Sequence, residues 1–297
     1  IARVRQSTAL NYINPARNRL NLTLRSDCTV YRLLIEGQRA VGVEVECGGE
    51  IFKVFSNHII LSAGSIGSPQ LLMLSGIGPK DHLSDKGIKL VHDLPGVGQN
   101  LRDHPQVKLA WKVKDTYEHN RSGPRGATVA VRYTAEGSSL HNDMLVHPMP
   151  TAMQRFYFSG DGEDRYSGVG MTASMYLQVG SGEMKLRSSD PRVQPDLNYN
   201  YFREEEALRR MRECVRLCSQ VGEGPAYSDV IDYRVEPSED VLHDDHALNR
   251  WIRSNASTSH HISSTCKMGP LSDSMAVVDQ YGKVHGIEGL RIADASI

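Results

Sequence analysis

The sequence predicts an α/β domain interrupted by an inserted α+β domain with an antiparallel sheet, and three observations carry that prediction. An apolar run, His58-Ile59-Ile60-Leu61-Ser62, leads through Ala63-Gly64 into a helical pattern, the strand, turn and helix order of an α/β edge. After Pro105 the segments alternate apolar and polar residues, as antiparallel strands with one covered face do. Leu208, Met211, Val215 and Cys218 recur at spacings of three and four, which marks an amphipathic helix over 203–221.

Taken in order, 20–24 and 29–35 read as strands, and Gly37-Gln38-Arg39 turns the chain into an alternating strand over 41–47. Gly48-Gly49 turns it again into 51–55. The strand at 58–62 reads as buried, and Pro69 takes the favoured first position of the helix that follows, with Leu72, Met73 and Gly76 behind it. A strand, a glycine turn and a helix in that order make a nucleotide-binding edge. Beyond Pro105, the stretches 107–113, 128–133 and 171–179 read as antiparallel strands between polar loops rich in Gly and Asp. A second helix is expected over 246–254. No internal repeat or low-complexity tract occurs.

Composition narrows the class. A chain of 297 residues, 39% hydrophobic and 23% charged, supports two domains and a sizeable core. Its formal net charge of -1 gives no electrostatic footprint for nucleic acid or an anionic membrane surface. No apolar run reaches the ~20 residues that span a bilayer, and Ile1-Ala2-Arg3-Val4-Arg5 lacks the apolar stretch of a signal peptide. Cys28, Cys47, Cys214, Cys218 and Cys266 are odd in number and widely spread, which fits a reducing, cytoplasmic setting rather than a disulfide framework. Cys214 and Cys218 read as small buried residues on a helix. Asn21-Leu22-Thr23 and Asn255-Ala256-Ser257 match the glycosylation sequon, a triplet that also arises by chance.

The chemistry lies in three blocks. One is Asn57 to Gly78, with Leu61-Ser62-Ala63-Gly64-Ser65-Ile66-Gly67-Ser68-Pro69-Gln70-Leu71-Leu72 at its centre; the next is Leu94-Pro95-Gly96-Val97-Gly98-Gln99-Asn100-Leu101-Arg102-Asp103-His104-Pro105. The third runs from Ser259-His260-His261 through Ser264-Thr265-Cys266 to Ile292-Ala293-Asp294-Ala295-Ser296-Ile297. In this order they resemble the signatures of the glucose-methanol-choline (GMC) flavin oxidoreductases, and between His104 and about Thr258 the match is looser. The resemblance implies an FAD-binding, Rossmann-like domain remnant of the GMC type around an inserted α+β substrate domain with an antiparallel sheet. Pattern and resemblance together assign 1–105 and 256–297 to the FAD-binding domain and 106–255 to the substrate-binding domain. The family's Gly-x-Gly-x-x-Gly turn, which sets backbone amides against a pyrophosphate, occurs nowhere here. The chain therefore reads as the central and C-terminal part of a longer enzyme, or one chain of a split one whose partner carries that turn.

The resemblance also implies a reaction: oxidation of a small-molecule alcohol to a carbonyl by hydride transfer to flavin N5, with oxygen or another acceptor taking the electrons. Such a site needs a base within reach of the substrate oxygen, and imidazole suits it. By motif that base is His261; on an extended segment the side chain of His260 points the opposite way. Ser264 stands where many relatives have Gly. For the cofactor, the resemblance implies Val30, whose backbone would read the adenine edge, Ala63 and Gly64 beside the adenine and ribose, and Asn100 near the flavin. Asp294 and Ala295 would approach the pyrophosphate and flavin by their amides, the Asp294 carboxylate ordering the loop and capping a helix rather than meeting a phosphate of like charge. A metal is the rival use of His260, His261 and Cys266, or of His243 and His246, but structural and catalytic sites want three or four converging ligands, and none is expected. Two other readings stay open: a lyase on the same fold that cleaves cyanohydrins, and a non-catalytic fragment that needs a partner chain.

Overall fold

A computed structural model of the chain describes residues 6–117, 129–149 and 168–297. A short helical stretch, Ala9–Ile13 and Asn14–Ala16, comes first. The strand expected over 20–24 does not form: Leu20 and Leu24 are exposed, and among the described residues no strand lies alongside to cover them. Strands β1 (Cys28–Glu36), β2 (Arg39–Cys47) and β3 (Glu50–Phe55) make a three-stranded antiparallel meander in which Cys28 lies opposite Cys47.

Strand β4 (Ile59–Leu61) then pairs in parallel with β15 (Leu290–Ile292), returned from the far end of the sequence. Leu61 is buried but Ile60 is 61% exposed, so the strand expected to be buried is covered on one face only. Helix α1 (Gly64–Leu74) begins five residues before Pro69, which therefore lies inside the helix and not at its start. Proline has no N–H for the carbonyl four residues back, here that of Ser65. The Thr265 hydroxyl donates to that carbonyl at 2.6 Å, so the interrupted helix is completed by the histidine-bearing segment. Short strands β5 (Ile77–Gly78) and β6 (His92–Asp93), which pair in parallel, and helix α2 (Lys80–Asp85) follow. Leu72, Met73, Ile77, Val97 and Val277 are fully buried in the core shared by these elements.

The other core lies under a six-stranded antiparallel sheet. Its path is β13 (Ile231–Glu236), β7 (Pro105–Val113), β10 (Gly168–Met175), β9 (Met144–Met149) and β8 (Val131–Tyr133), with β14 (Ser257–Thr258) pairing the start of β7. Helices α3 (Glu205–Gly222) and α5 (Asp245–Asn255), the latter preceded by α4 (Glu239–His243), cover one face. Trp111 is completely buried against Gly222, where a Cβ would sit 2.6 Å from the indole ring. Arg210 on α3 and Asp143 form a buried ion pair at 2.7 Å. The Asp143 carboxylate also accepts from the Ala135 amide and Ser138 hydroxyl. Between β10 and α3, the hairpin β11 (Glu183–Lys185) and β12 (Asp196–Asn198) sends Met184 and Leu186 into the first core.

Candidate active site

Four segments interlock where the two cores meet. The Arg102 amide donates to the Ser263 carbonyl at 3.0 Å and the Ser263 amide to the Arg102 carbonyl at 2.8 Å, and the Gly98 amide donates to the Thr265 carbonyl at 2.8 Å. The Ser264 amide donates to Ala295 O at 2.9 Å and the Cys266 amide to Ser296 O at 2.6 Å, while the Ser65 hydroxyl donates to Ile262 O at 2.6 Å. Ser264 has φ 65°, a left-handed conformation that glycine adopts without cost. That is the physical content of the expectation that relatives place Gly there.

His261 stands on this frame with its side chain exposed. Its amide donates to Asp103 Oδ1 at 3.1 Å, and its ring meets that of His104 edge-on at 5.3 Å between centroids. His104 in turn stacks on Tyr176 at 4.2 Å. Burial first, and then the neighbouring His261, hold the His104 imidazole below its ordinary value against the pull of Asp103. His260 has φ 61° and donates its amide to the Thr258 hydroxyl, so this pair of histidines follows a turn rather than the extended run anticipated.

Asp103 is the hub that sequence reasoning missed. It is 3% exposed, and besides His261 N it accepts from the His104 amide at 2.8 Å, the Tyr201 hydroxyl at 2.6 Å and the Thr258 hydroxyl. Burial and the Asp103 carboxyl push the Tyr201 phenol upward, which keeps it a donor. The available signal was its place between Asn100 and His104. Asn100 ties the same frame together, its Nδ2 donating to Ser264 O at 3.4 Å.

At the other end of the frame, the Asp294 carboxylate accepts from the Gly64 amide at 2.9 Å, from the Ser68 hydroxyl at 2.5 Å and from the Ser296 amide at 2.8 Å. Burial alone would raise this carboxyl; the bonds from Ser296, Ser68 and Gly64 outweigh it and hold it below the usual range. The first turn of α1 is thereby given an anion by the protein itself. Gly64 has φ 81° and open space where a Cβ would be. Val30, on the edge strand β1, and Ala63 line one cavity of about 470 Å³ with Ile60, Leu61, Ser62 and Gly67. The cavity suits one end of a dinucleotide: an apolar strand on one side, and on the other a strand-to-helix turn with small side chains. Ala295 contributes its carbonyl to the frame as described. Among the described residues no three His, Cys, Asp or Glu side chains gather into a metal-ligand set, and His243 pairs with Glu239 at 2.7 Å. No helix of the described residues is long and apolar enough to cross a membrane.

The site thus joins a parallel strand and helix edge, a histidine-bearing turn and the end of an antiparallel sheet. The family description "GMC oxidoreductase" matches in two parts, residues 2–106 and 179–297, and the chain belongs to that family. Its enzymes depend on FAD, and FAD is the cofactor of this fold. The chain is 33% identical over 318 aligned residues to an oxygen-dependent choline dehydrogenase of Photobacterium profundum, covering 99% of this chain and 55% of that protein. It is similar to the formate oxidase of Aspergillus oryzae RIB40, with a TM-score of 0.83, 26% identity, and coverage of 95% of this chain and 57% of the other. The pyridoxine 4-oxidase of Mesorbium loti superposes with a TM-score of 0.85 over 95% of this chain and 55% of the other; at 23% identity it shows the fold alone. The chain spans about half the length of the curated relatives it matches. None of these comparisons supports the cyanohydrin-lyase alternative.

Proposed function

We propose that the chain is the substrate-side and base-bearing part of an FAD-dependent alcohol oxidoreductase, with His261 as the base. The observation that carries this reading is the setting of His261: an accessible imidazole whose backbone is fixed by Asp103 and whose ring lies against His104. FAD, when bound, would supply the hydride acceptor. His261 takes the hydroxyl proton of the alcohol as the carbon–hydrogen bond breaks. Val30, Ala63 and Gly64 hold the adenosine end by backbone and small side chains. Asn100, Asp294 and Ala295 hold the frame on which His261 stands, and the carboxylate of Asp294 serves α1 rather than a phosphate.

The domain division proposed is 1–105 with 256–297 around FAD, and 106–255 around the substrate. Substrates are small alcohols, and the electrons pass to oxygen or another acceptor. The odd number and wide spread of the five cysteines support a cytoplasmic location. A segment with the Gly-x-Gly-x-x-Gly turn, in a longer chain or a partner chain, would complete the cofactor site. Parallel strands are normally covered on both faces, and the exposed Ile60 on β4 supports such a completion.

The test is His261→Ala in the flavin-loaded protein. Flavin reduction by a good alcohol substrate, followed by stopped-flow absorbance, is expected to slow by about 10²–10⁴-fold with the flavin spectrum retained. Reduction at the wild-type rate would remove His261 from the mechanism.

A further inference from the structure

The five cysteines divide into two groups. Cys214 and Cys218, both on α3, and Cys266 are completely buried and shielded from solvent. Cys28 and Cys47 are partly exposed, and the meander brings them together. Strand β1 begins at Cys28 and β2 ends at Cys47, so the two stand opposite each other at the open end of the hairpin.

Strand pairing sets their separation. Residues directly opposite on antiparallel strands have Cα atoms roughly 4.5 or 5.5 Å apart, according to whether the pair is hydrogen-bonded, and a disulfide spans roughly 4.4–6.8 Å. Either separation lies inside that range. The two side chains also lie on one side of the sheet: Cys28 Sγ donates to the Ser26 carbonyl at 3.3 Å, and Cys47 Sγ reaches the same oxygen at 4.0 Å. Ser26 is exposed, so water can take over that carbonyl once the S–H donors are gone. Contact with the Cys47 thiol is the chief cause that holds the Cys28 thiol above its ordinary value; Asp27 adds to the rise and Arg25 opposes it.

The pair stands in a wall of the candidate cofactor site. Cys28 lines the cavity of about 470 Å³ that Val30 and Ala63 also line, and it lies two residues before Val30 on the same face of β1. Residues 23–27, which lead into β1, are exposed and belong to no strand. The wall therefore ends at the rung formed by Cys28 and Cys47.

We propose that Cys28 and Cys47 are a redox-active dithiol, closed to a disulfide by hydroperoxides and reopened by thiols, that fastens the end of this wall. One sulfur, as thiolate, attacks the peroxide: an S–O bond forms, the O–O bond breaks, and the departing oxygen leaves as water. The second thiolate attacks the resulting sulfenic sulfur; the S–S bond forms, the S–O bond breaks, and a second water leaves. Two thiols are oxidised and one hydrogen peroxide is reduced to two waters. Oxygen becomes hydrogen peroxide on accepting two electrons, so an oxidoreductase that passes its electrons to oxygen makes this oxidant itself. A reducing compartment otherwise keeps the pair open.

The experiment treats the reduced full chain with hydrogen peroxide, alkylates the remaining thiols and reads tryptic peptides by mass spectrometry. Cleavage after Arg25, Arg32, Arg39 and Lys53 places Cys28 on peptide 26–32 and Cys47 on peptide 40–53. The two peptides are expected linked, at their summed mass less two hydrogens, and separate again after dithiothreitol. Cys214, Cys218 and Cys266 are expected to alkylate only in denaturant. Because the thiolate is the reacting form and the Cys28 thiol titrates high, linking is expected to run about tenfold or more faster at pH 9 than at pH 7. Dithiothreitol is expected to lower the melting temperature of the peroxide-treated wild type by a few degrees, and to leave Cys28→Ser and Cys47→Ser unmoved; methionine sulfoxide, which it does not reduce, cancels in that comparison. Both thiols still open to alkylation after peroxide, each carried to sulfinic acid without a linked peptide, or a link from either to another cysteine overturns the dithiol. A link whose reduction leaves the melting temperature unmoved overturns the fastening.

Discussion

Asp103 illustrates how much one buried side chain does at this site. It takes two backbone amides and two hydroxyls, and three of those donors come from segments beyond residue 200 or from the histidine turn itself. Asp103→Ala is expected to cost about 2–4 kcal/mol of stability, measured by denaturant unfolding, because Tyr201 and Thr258 lose a buried acceptor. Three histidines set a pH dependence. His82, His104 and His147 all sit below the ordinary 6.5, chiefly through burial, and His82 Nε2 accepts the Leu186 amide, which it does only when that nitrogen is unprotonated. His104 faces His261, Asp103 and Arg132; His82 faces Lys86, Lys185, Asp85 and Glu183; Lys108 acts on His147. The unfolded chain binds protons that these imidazoles refuse when folded, so their contribution is complete above 6.5 and is lost as pH falls through the lower folded values. The melting temperature is therefore expected to fall between pH 7 and pH 5, and His82→Gln, which keeps an acceptor but does not titrate there, flattens part of that fall. Asn100, His104 and His261 were legible in sequence because a motif names them. Asp103 and Tyr201 were not, since the bond joining them spans 98 residues and no local pattern encodes it.

At the level of elements, periodicity located what repeats and missed what is mended from elsewhere. The amphipathic helix anticipated over 203–221 is α3 at Glu205–Gly222, and the one over 246–254 is α5 at Asp245–Asn255. Their apolar stripes are continuous, so nothing distant was needed to read them. Pro69 misled because a proline inside a helix is ordinarily destabilising, and the Thr265 hydroxyl that takes up the orphaned Ser65 carbonyl is two hundred residues away. Of the strand expected over 128–133, residue 128 lies outside the described residues and Val131–Tyr133 forms β8. Sequence reasoning also sets the loop from Pro148 to about Tyr166 at the entrance to the site, and most of that loop lies outside the described residues. The helix-to-sheet junction depends on Arg210 and Asp143, at 1% and 0% side-chain exposure. Arg210→Met strands that carboxylate in the core and is expected to cost about 3–5 kcal/mol, read by chemical denaturation, while the double change Arg210→Met with Asp143→Leu recovers much of the loss.

For the whole molecule, fold class was legible because a strand, a glycine turn and a helix at one place and alternating strands at another are separate local signals. The way the parts join was not, for the joints are made by loops. The stretch that holds Met184 and Leu186 shows this: it lies between β10 and α3 in sequence and packs in the other core. Cofactor binding is expected to register globally. Because FAD would bind the folded state alone, a free concentration a hundredfold above its Kd adds about 2.7 kcal/mol, and scanning calorimetry with and without FAD should show the corresponding rise in melting temperature; no rise would mean that the cradle along Val30 and Ala63 is incomplete. The bonds that finish α1 carry one more implication. Gly64 and Ser68 wait for Asp294, and Ser65 waits for Ile262 and Thr265, across separations of 197 to 230 residues. During synthesis these groups stay open to water until almost everything after them has been made, and closing so long a loop is entropically slow. A ribosome-bound chain halted before Asp294 should therefore keep α1 cleavable by protease, and the same helix should become resistant only after residue 296 has emerged.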